Sequence, residues 1–173
     1  MSNVPGDGSY AEYINGDDFA EYQMYLDNKP SEKASSAKSM AHLMNPNSYA
    51  VKVTGYRMDN PLNGNGMYGL AFNVNSLAPG NSYYVFRVNS ETGYYELVKM
   101  KILSNNTIEP ATISQGNPSV ITNGPNILEV RQNWPKVDLL VNNEKIDEYE
   151  INEWVDDFIQ VGLHVYADHD SLY

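Results

Sequence analysis

Apolar and polar residues alternate with a period of two over much of this chain, and the alternation predicts short β-strands broken by turns. Tyr49, Val51 and Val53 fall on one side of a segment whose other side carries Ala50, Lys52 and Thr54, so that strand has one wet face. Leu70, Phe72 and Val74 share a face of the next strand, where Gly69 predicts close approach of another backbone or a large ring. Further on, Tyr84, Phe86 and Val88 alternate with Tyr83, Val85 and Arg87. After the connection Asn89-Ser90-Glu91-Thr92-Gly93, Tyr95, Leu97 and Lys99 alternate with Tyr94, Glu96 and Val98. A connection of that length ending in glycine predicts a hairpin. Its core face is Tyr84, Phe86, Val88, Tyr95 and Leu97, and its second face carries Tyr83, Arg87, Tyr94 and Glu96.

The remaining segments extend this pattern. Tyrosines and apolar residues on either side of Asn15-Gly16-Asp17-Asp18 predict a hairpin over 10–14 and 19–26. Residues 27–47 differ: Ala, Lys and Met with apolar positions at 37, 40, 41 and 44 fit a short helix that starts at Pro30 or Ser31 and is stopped by Asn45-Pro46. We therefore expect a helical or irregular insertion there. Pro110, Gly116 and Pro118 punctuate a polar stretch at 101–124 suited to one weak strand and loops. Strands are expected on both sides of the turn Asn133-Trp134-Pro135-Lys136, after the turn Asn142-Asn143, and finally over 158–166. Nine or more short strands with frequent turns indicate an all-β sandwich of two antiparallel sheets and exclude a parallel α/β sheet. The expected organisation is a flexible lead over 1–9 and a single sandwich domain over 10–173, a size able to bury a two-layer core.

Composition sharpens this reading. Fourteen tyrosines stand against four Phe and two Trp. Tyr suits strands that pack on one side and meet water on the other, because its ring buries while its hydroxyl finds a partner. A net charge of −11 with eleven scattered basic residues excludes nucleic acid, which needs clustered Lys and Arg to neutralise phosphates. It disfavours an anionic membrane surface for the same reason. No apolar run approaches the roughly 20 residues of a membrane span, so membrane insertion is not expected. The absence of cysteine removes disulfides, thiolate metal sites and cysteine nucleophiles together.

The order of motifs resembles the concanavalin A-like lectin/glucanase jelly roll and, more narrowly, the laminin-G-like domains of bacterial extracellular and kinase-linked proteins. The resemblance rests on Met67-Tyr68-Gly69-Leu70-Ala71-Phe72, the two Tyr-Tyr strands over 82–88 and 93–99, Asn126 to Val130, Leu139-Leu140-Val141-Asn142-Asn143, and the segment 158–163. It spans about 49–166 and implies a lectin-like location outside the cell or at its surface. Two departures stand out. The insertion at 27–47 is longer than the family's connection, and the closing strand is reduced to 168–173, so either a strand lies beyond it or a partner completes the sheet edge.

Candidate chemistry is sparse. A retaining glucanase on this fold needs two carboxylates about 5–5.5 Å apart, but Glu144, Asp147, Glu148, Glu150 and Glu153 lack an i, i+2, i+4 pattern, and Glu148 and Glu150 alone share a face. No Gly-x-Ser-x-Gly elbow exists, and His42, His164 and His169 have no motif context. The oxygen donors Asp59, Asn63 and Asn65 would suit Ca2+ better than zinc, although the same composition makes an ordinary turn. Asp17-Asp18 and Asp156-Asp157 are similar, and Asn105-Asn106-Thr107 is a glycosylation sequon. For a saccharide, aromatic platforms beside polar groups are required, and Tyr83, Arg87, Tyr94, Glu96 and Trp134 supply them. The sequence thus points to a non-catalytic, lectin-like module for a glycan or surface polymer. A structural or adhesive subunit that self-associates through its sheet edges comes second, and a glycoside hydrolase last.

Overall fold

Twelve strands and no helix occupy the residues that the computed structural model describes, which are 10–15, 20–25, 34–43, 47–56, 66–75, 78–105, 107–153 and 159–168. Strands β1 (Tyr10–Asn15) and β2 (Ala20–Tyr25) pair antiparallel as the expected hairpin. Strands β4 (Ser48–Gly55), β9 (Asn126–Asn133), β10 (Lys136–Val141) and β11 (Glu144–Glu150) form a four-stranded sheet ordered β11-β10-β9-β4. The third sheet is ordered β3-β12-β5-β6-β7-β8. It is built from β3 (Ala34–Leu43), β12 (Ile159–Asp168), β5 (Met67–Val74), β6 (Ser82–Asn89), β7 (Tyr94–Ile102) and β8 (Ile108–Gly116).

The four- and six-stranded sheets face each other across one core. Leu70, Phe72, Tyr84, Phe86, Val88, Tyr95 and Leu97 meet Leu128, Val130, Val137, Leu139, Val141 and Ile151. Apart from Ile151, which follows β11, these are the period-two positions of each strand, so local alternation brings the apolar rows together. Tyr49, Val51 and Val53 pack against this core as partly buried residues, as their alternation predicts. Phe72 stacks on Tyr84 with ring centroids 5.6 Å apart, and Phe86 meets Tyr95 edge-on at 6.2 Å. Turn chemistry sets the hairpins. Asn142 and Asn143 both adopt positive φ (51° and 69°), the two-residue connection whose twist matches right-handed strands.

Residues 34–43 correct one expectation: they form β3, not a helix, and pair with β12 from Ala34↔Asp168 to Leu43↔Ile159. The helix preference of Ala, Lys and Met amounts to tenths of a kcal/mol per residue, so ten paired positions along an open sheet edge override it. Four of the ten residues are β-branched-free Ser or His, which hold no strong helical preference of their own. This strand also occupies the sheet edge beside the last strand, so β12 is paired on both sides.

Candidate functional site

The second face of the six-stranded sheet carries a polar row set by register. His164 of β12 stands opposite Gly69 of β5, which stands opposite Arg87 of β6, then Glu96 of β7 and Gln115 of β8. On β3, Lys38 continues the same register beyond His164. Gly69 is obligatory at the centre: a Cβ there would lie 1.9 Å from the Phe86 carbonyl oxygen and 2.6 Å from Arg87 Cα. The close backbone approach predicted for this glycine is thus a contact with β6.

Arg87 and Glu96 form a buried ion pair across β6 and β7. Arg87 Nε donates to Glu96 Oε1 at 2.5 Å and Nη2 bonds the same oxygen. Their side chains are 7% and 11% exposed. The Tyr166 ring covers the guanidinium, with Cζ 4.0 Å from the ring centroid. On the other side, the Tyr94 hydroxyl donates to Gln115 Oε1 at 2.8 Å and lies 3.5 Å from Glu96 Oε2. Burial, and then the neighbouring Glu96 carboxylate, push the Tyr94 phenol above its ordinary pKa, so it stays a donor. Arg87 Nη1 is buried with no hydrogen-bond partner among the described residues, an arrangement that costs about 1–3 kcal/mol until an acceptor arrives.

Beside this pair opens a cleft of about 360 Å³ lined by Met67, Arg87, Asn89, Thr92, Tyr94, Glu96 and Tyr166. Its lip is the β6–β7 turn. Asn89 Oδ1 accepts from the amides of Glu91 (3.0 Å) and Thr92 (3.1 Å), and Gly93 closes the turn at φ 68°. The cleft therefore combines two tyrosines held by specific contacts, a paired charge, and a rigid turn.

Three of the residues expected from sequence, Arg87, Tyr94 and Glu96, come together here. Tyr83 does not: it is 2% exposed within a second apolar cluster with Ala71, Val74, Val85, Val98, Met100 and Ile102, further along the same sheet face. Trp134 is 41% exposed on the β9–β10 turn of the other sheet. Asp59, Asn63 and Asn65 lie outside the described residues, as do Asp17-Asp18, Asp156-Asp157 and His169. His164 is a buried residue of β12, 2% exposed. Among the described residues, no three His, Asp or Glu side chains converge to hold a metal ion.

The carboxylates weighed for hydrolysis sit in other surroundings. Glu148 bonds Lys145 and Lys136 on the exposed face of β10 and β11, and these hydrogen bonds hold its carboxyl below the usual range. Glu153 belongs to a second cavity of about 280 Å³, lined also by Asn73, Asn81, Ser82 and Tyr84. Burial raises its carboxyl, but hydrogen bonds from Lys99 and the Tyr84 hydroxyl (2.9 Å) outweigh that and leave it depressed. Asn73 there is bonded to Tyr49 (2.9 Å) and Gln132 (2.7 Å), so these polar groups satisfy one another across the two sheets.

Met67, Asn89, Thr92 and Tyr166 were not foreseen. Tyr166 was within reach, because it shares a period-two face with His164 on a strand recognisable in sequence. That this strand lies next to β5, in the register that sets Tyr166 opposite Met67, has no local signal.

No protein-family model and no curated protein sequence matches the chain. Solved structures match it in fold. The carbohydrate binding module CBM66 from Bacillus subtilis has a TM-score of 0.56 at 15% identity, covering 97% of this chain and 94% of that one. Sheep galectin-11, in complex with glycerol, has a TM-score of 0.54 at 12% identity, covering 72% of this chain and 87% of that one. A glycoside hydrolase family 16 endo-glucanase from Bacteroides ovatus has a TM-score of 0.57 at 9% identity, covering 91% and 71%. Identities this low show a shared fold, an all-β sandwich of two facing sheets, and leave activity open.

Proposed function

We propose that this chain is a non-catalytic glycan-binding module whose ligand enters the cleft on the second face of the six-stranded sheet. One observation carries the reading: Tyr94 and Tyr166 flank the buried Arg87–Glu96 pair at the mouth of an open cleft. A saccharide presents apolar C–H faces and a rim of hydroxyls. Aromatic rings receive the first, and Asn, Thr, Arg and Glu side chains receive the second. The likeness in fold to a carbohydrate binding module and to a galectin supports the same direction. The motif order adds the narrower laminin-G-like reading, with work outside the cell or at its surface.

The absence of catalysis is part of the proposal. Among the described residues lining the cleft, Glu96 is the sole carboxylate, and it is already engaged by Arg87. Glycoside hydrolysis needs a second carboxylate and an acid with a raised pKa. Glycan-array profiling followed by calorimetry tests the reading. The folded chain should bind at least one oligosaccharide class, and Tyr94→Ala should weaken that binding about tenfold or more while the protein still melts cooperatively. A folded chain that binds no glycan, or a Tyr94→Ala variant that binds unchanged, refutes it.

A further inference from the structure

The chemistry of the cleft wall also specifies what kind of saccharide it takes. This step rests on the glycan-binding reading above. We infer that the cleft selects neutral saccharides and rejects uronate-containing or sulfated ones, because Arg87 and Glu96 present a charge-neutral donor–acceptor pair.

The cation that would attract an anionic sugar is already consumed. Arg87 directs Nε and Nη2 at one oxygen of Glu96, and both side chains are about nine-tenths buried. The other described lining residues, Met67, Asn89, Thr92, Tyr94 and Tyr166, carry no charge. A sugar carboxylate or sulfate placed against Arg87 would therefore also lie beside the Glu96 carboxylate, in the field of a chain with net charge −11. Glu91 adds a further negative charge on the turn that forms the lip.

What remains on offer suits a hydroxyl. Among the described residues Arg87 Nη1 has no hydrogen-bond partner, and it needs only a neutral oxygen. Among the described residues Glu96 Oε2 has a single long contact, 3.5 Å from the Tyr94 hydroxyl, so it can accept from an incoming hydroxyl. Sugar hydroxyls both donate and accept, so neighbouring hydroxyls of one residue can answer the donor and the acceptor together. An ester sulfate or a carboxylate can only accept, and it would leave Glu96 facing a like charge.

The experiment measures the 173-residue chain against neutral gluco-, galacto- and fructo-oligosaccharides and against uronate-containing and sulfated oligosaccharides. Calorimetry is run at low and high NaCl. The wild-type chain should bind neutral members with less than about a twofold change between roughly 0.05 and 0.5 M salt. Thr92→Lys, which adds a cation at the exposed lip, should raise affinity for the anionic members roughly three- to tenfold at low salt and lose that gain at high salt. Glu91→Lys makes a matching change from the next position, in case one variant folds poorly. A wild-type preference for anionic glycans that weakens with salt overturns the inference but leaves glycan binding standing. Folded Lys variants with no gain for anions also overturn it. A folded wild-type chain that binds neither class removes the glycan-binding reading itself, and this inference with it.

Discussion

Removing either partner of the Arg87–Glu96 pair should damage the fold more than removing both. Arg87→Met strands the Glu96 carboxylate at a position where it is 11% exposed, with only the long Tyr94 contact left to it among the described residues. Glu96→Leu strands the guanidinium, which keeps the Tyr166 ring at 4.0 Å, a contact worth about 0.5–2 kcal/mol. Breaking a buried pair by removing one partner costs about 3–5 kcal/mol. Arg87→Met should therefore fall near the top of that range and Glu96→Leu near the bottom. The double variant replaces both charges with apolar groups of similar size, and it should cost less than either single change. In a chain of 173 residues, each single loss corresponds to a fall in Tm of roughly 6–20 °C. Urea unfolding followed by intrinsic fluorescence gives the full cycle, with a coupling of about 5 kcal/mol or more expected from these costs. Lys136 and Glu148, 3.1 Å apart but 57% and 39% exposed, serve as the control pair and should show no measurable coupling. If the Arg87 and Glu96 changes each cost under about 1 kcal/mol and simply add, the pair is solvent-screened and its neutrality cannot govern the cleft.

Other parts of the molecule yield equally direct tests. Tyr83→Ala should cost about 3–5 kcal/mol, because the ring is 2% exposed in an apolar cluster, whereas half-buried Tyr94→Ala should cost clearly less; equal losses in thermal melts would contradict the placement of the two rings. Gly69→Ala should abolish soluble expression or lower Tm severely, since its Cβ would overlap the β6 backbone, and a near-native melting curve would disprove that contact. Hydrogen bonds from Arg131, and also from Lys52, hold the Glu129 carboxyl below its ordinary value of 4.5 despite burial. Its contribution is therefore complete above about pH 4.5 and is lost as the pH falls through the depressed value. The stability gap between wild type and Glu129→Gln should accordingly shrink in urea titrations toward about pH 3, and a gap that widens in acid would refute the assignment.

The alternation of residues determined much of this protein before any tertiary contact was considered. It identified the core face of the β6–β7 hairpin, the turns at Gly93 and Asn142-Asn143, and the two-layer all-β architecture. It also put Arg87, Tyr94 and Glu96 on one face, because a strand's period of two is a property of the local backbone. Tertiary structure decided the rest. Helical composition over 34–43 gave way to strand pairing with β12, since weak propensity yields to an available ladder. Local alternation sorts residues between faces but does not say what covers a face. Tyr83 and Arg87 point the same way, yet one joins an apolar cluster and the other a polar cleft. Tyr166 reached Arg87 only because β12 and β5 are neighbours in one register across nearly a hundred residues of chain. Non-local pairing of that kind leaves no trace in the local pattern, and in this protein it completes the candidate site.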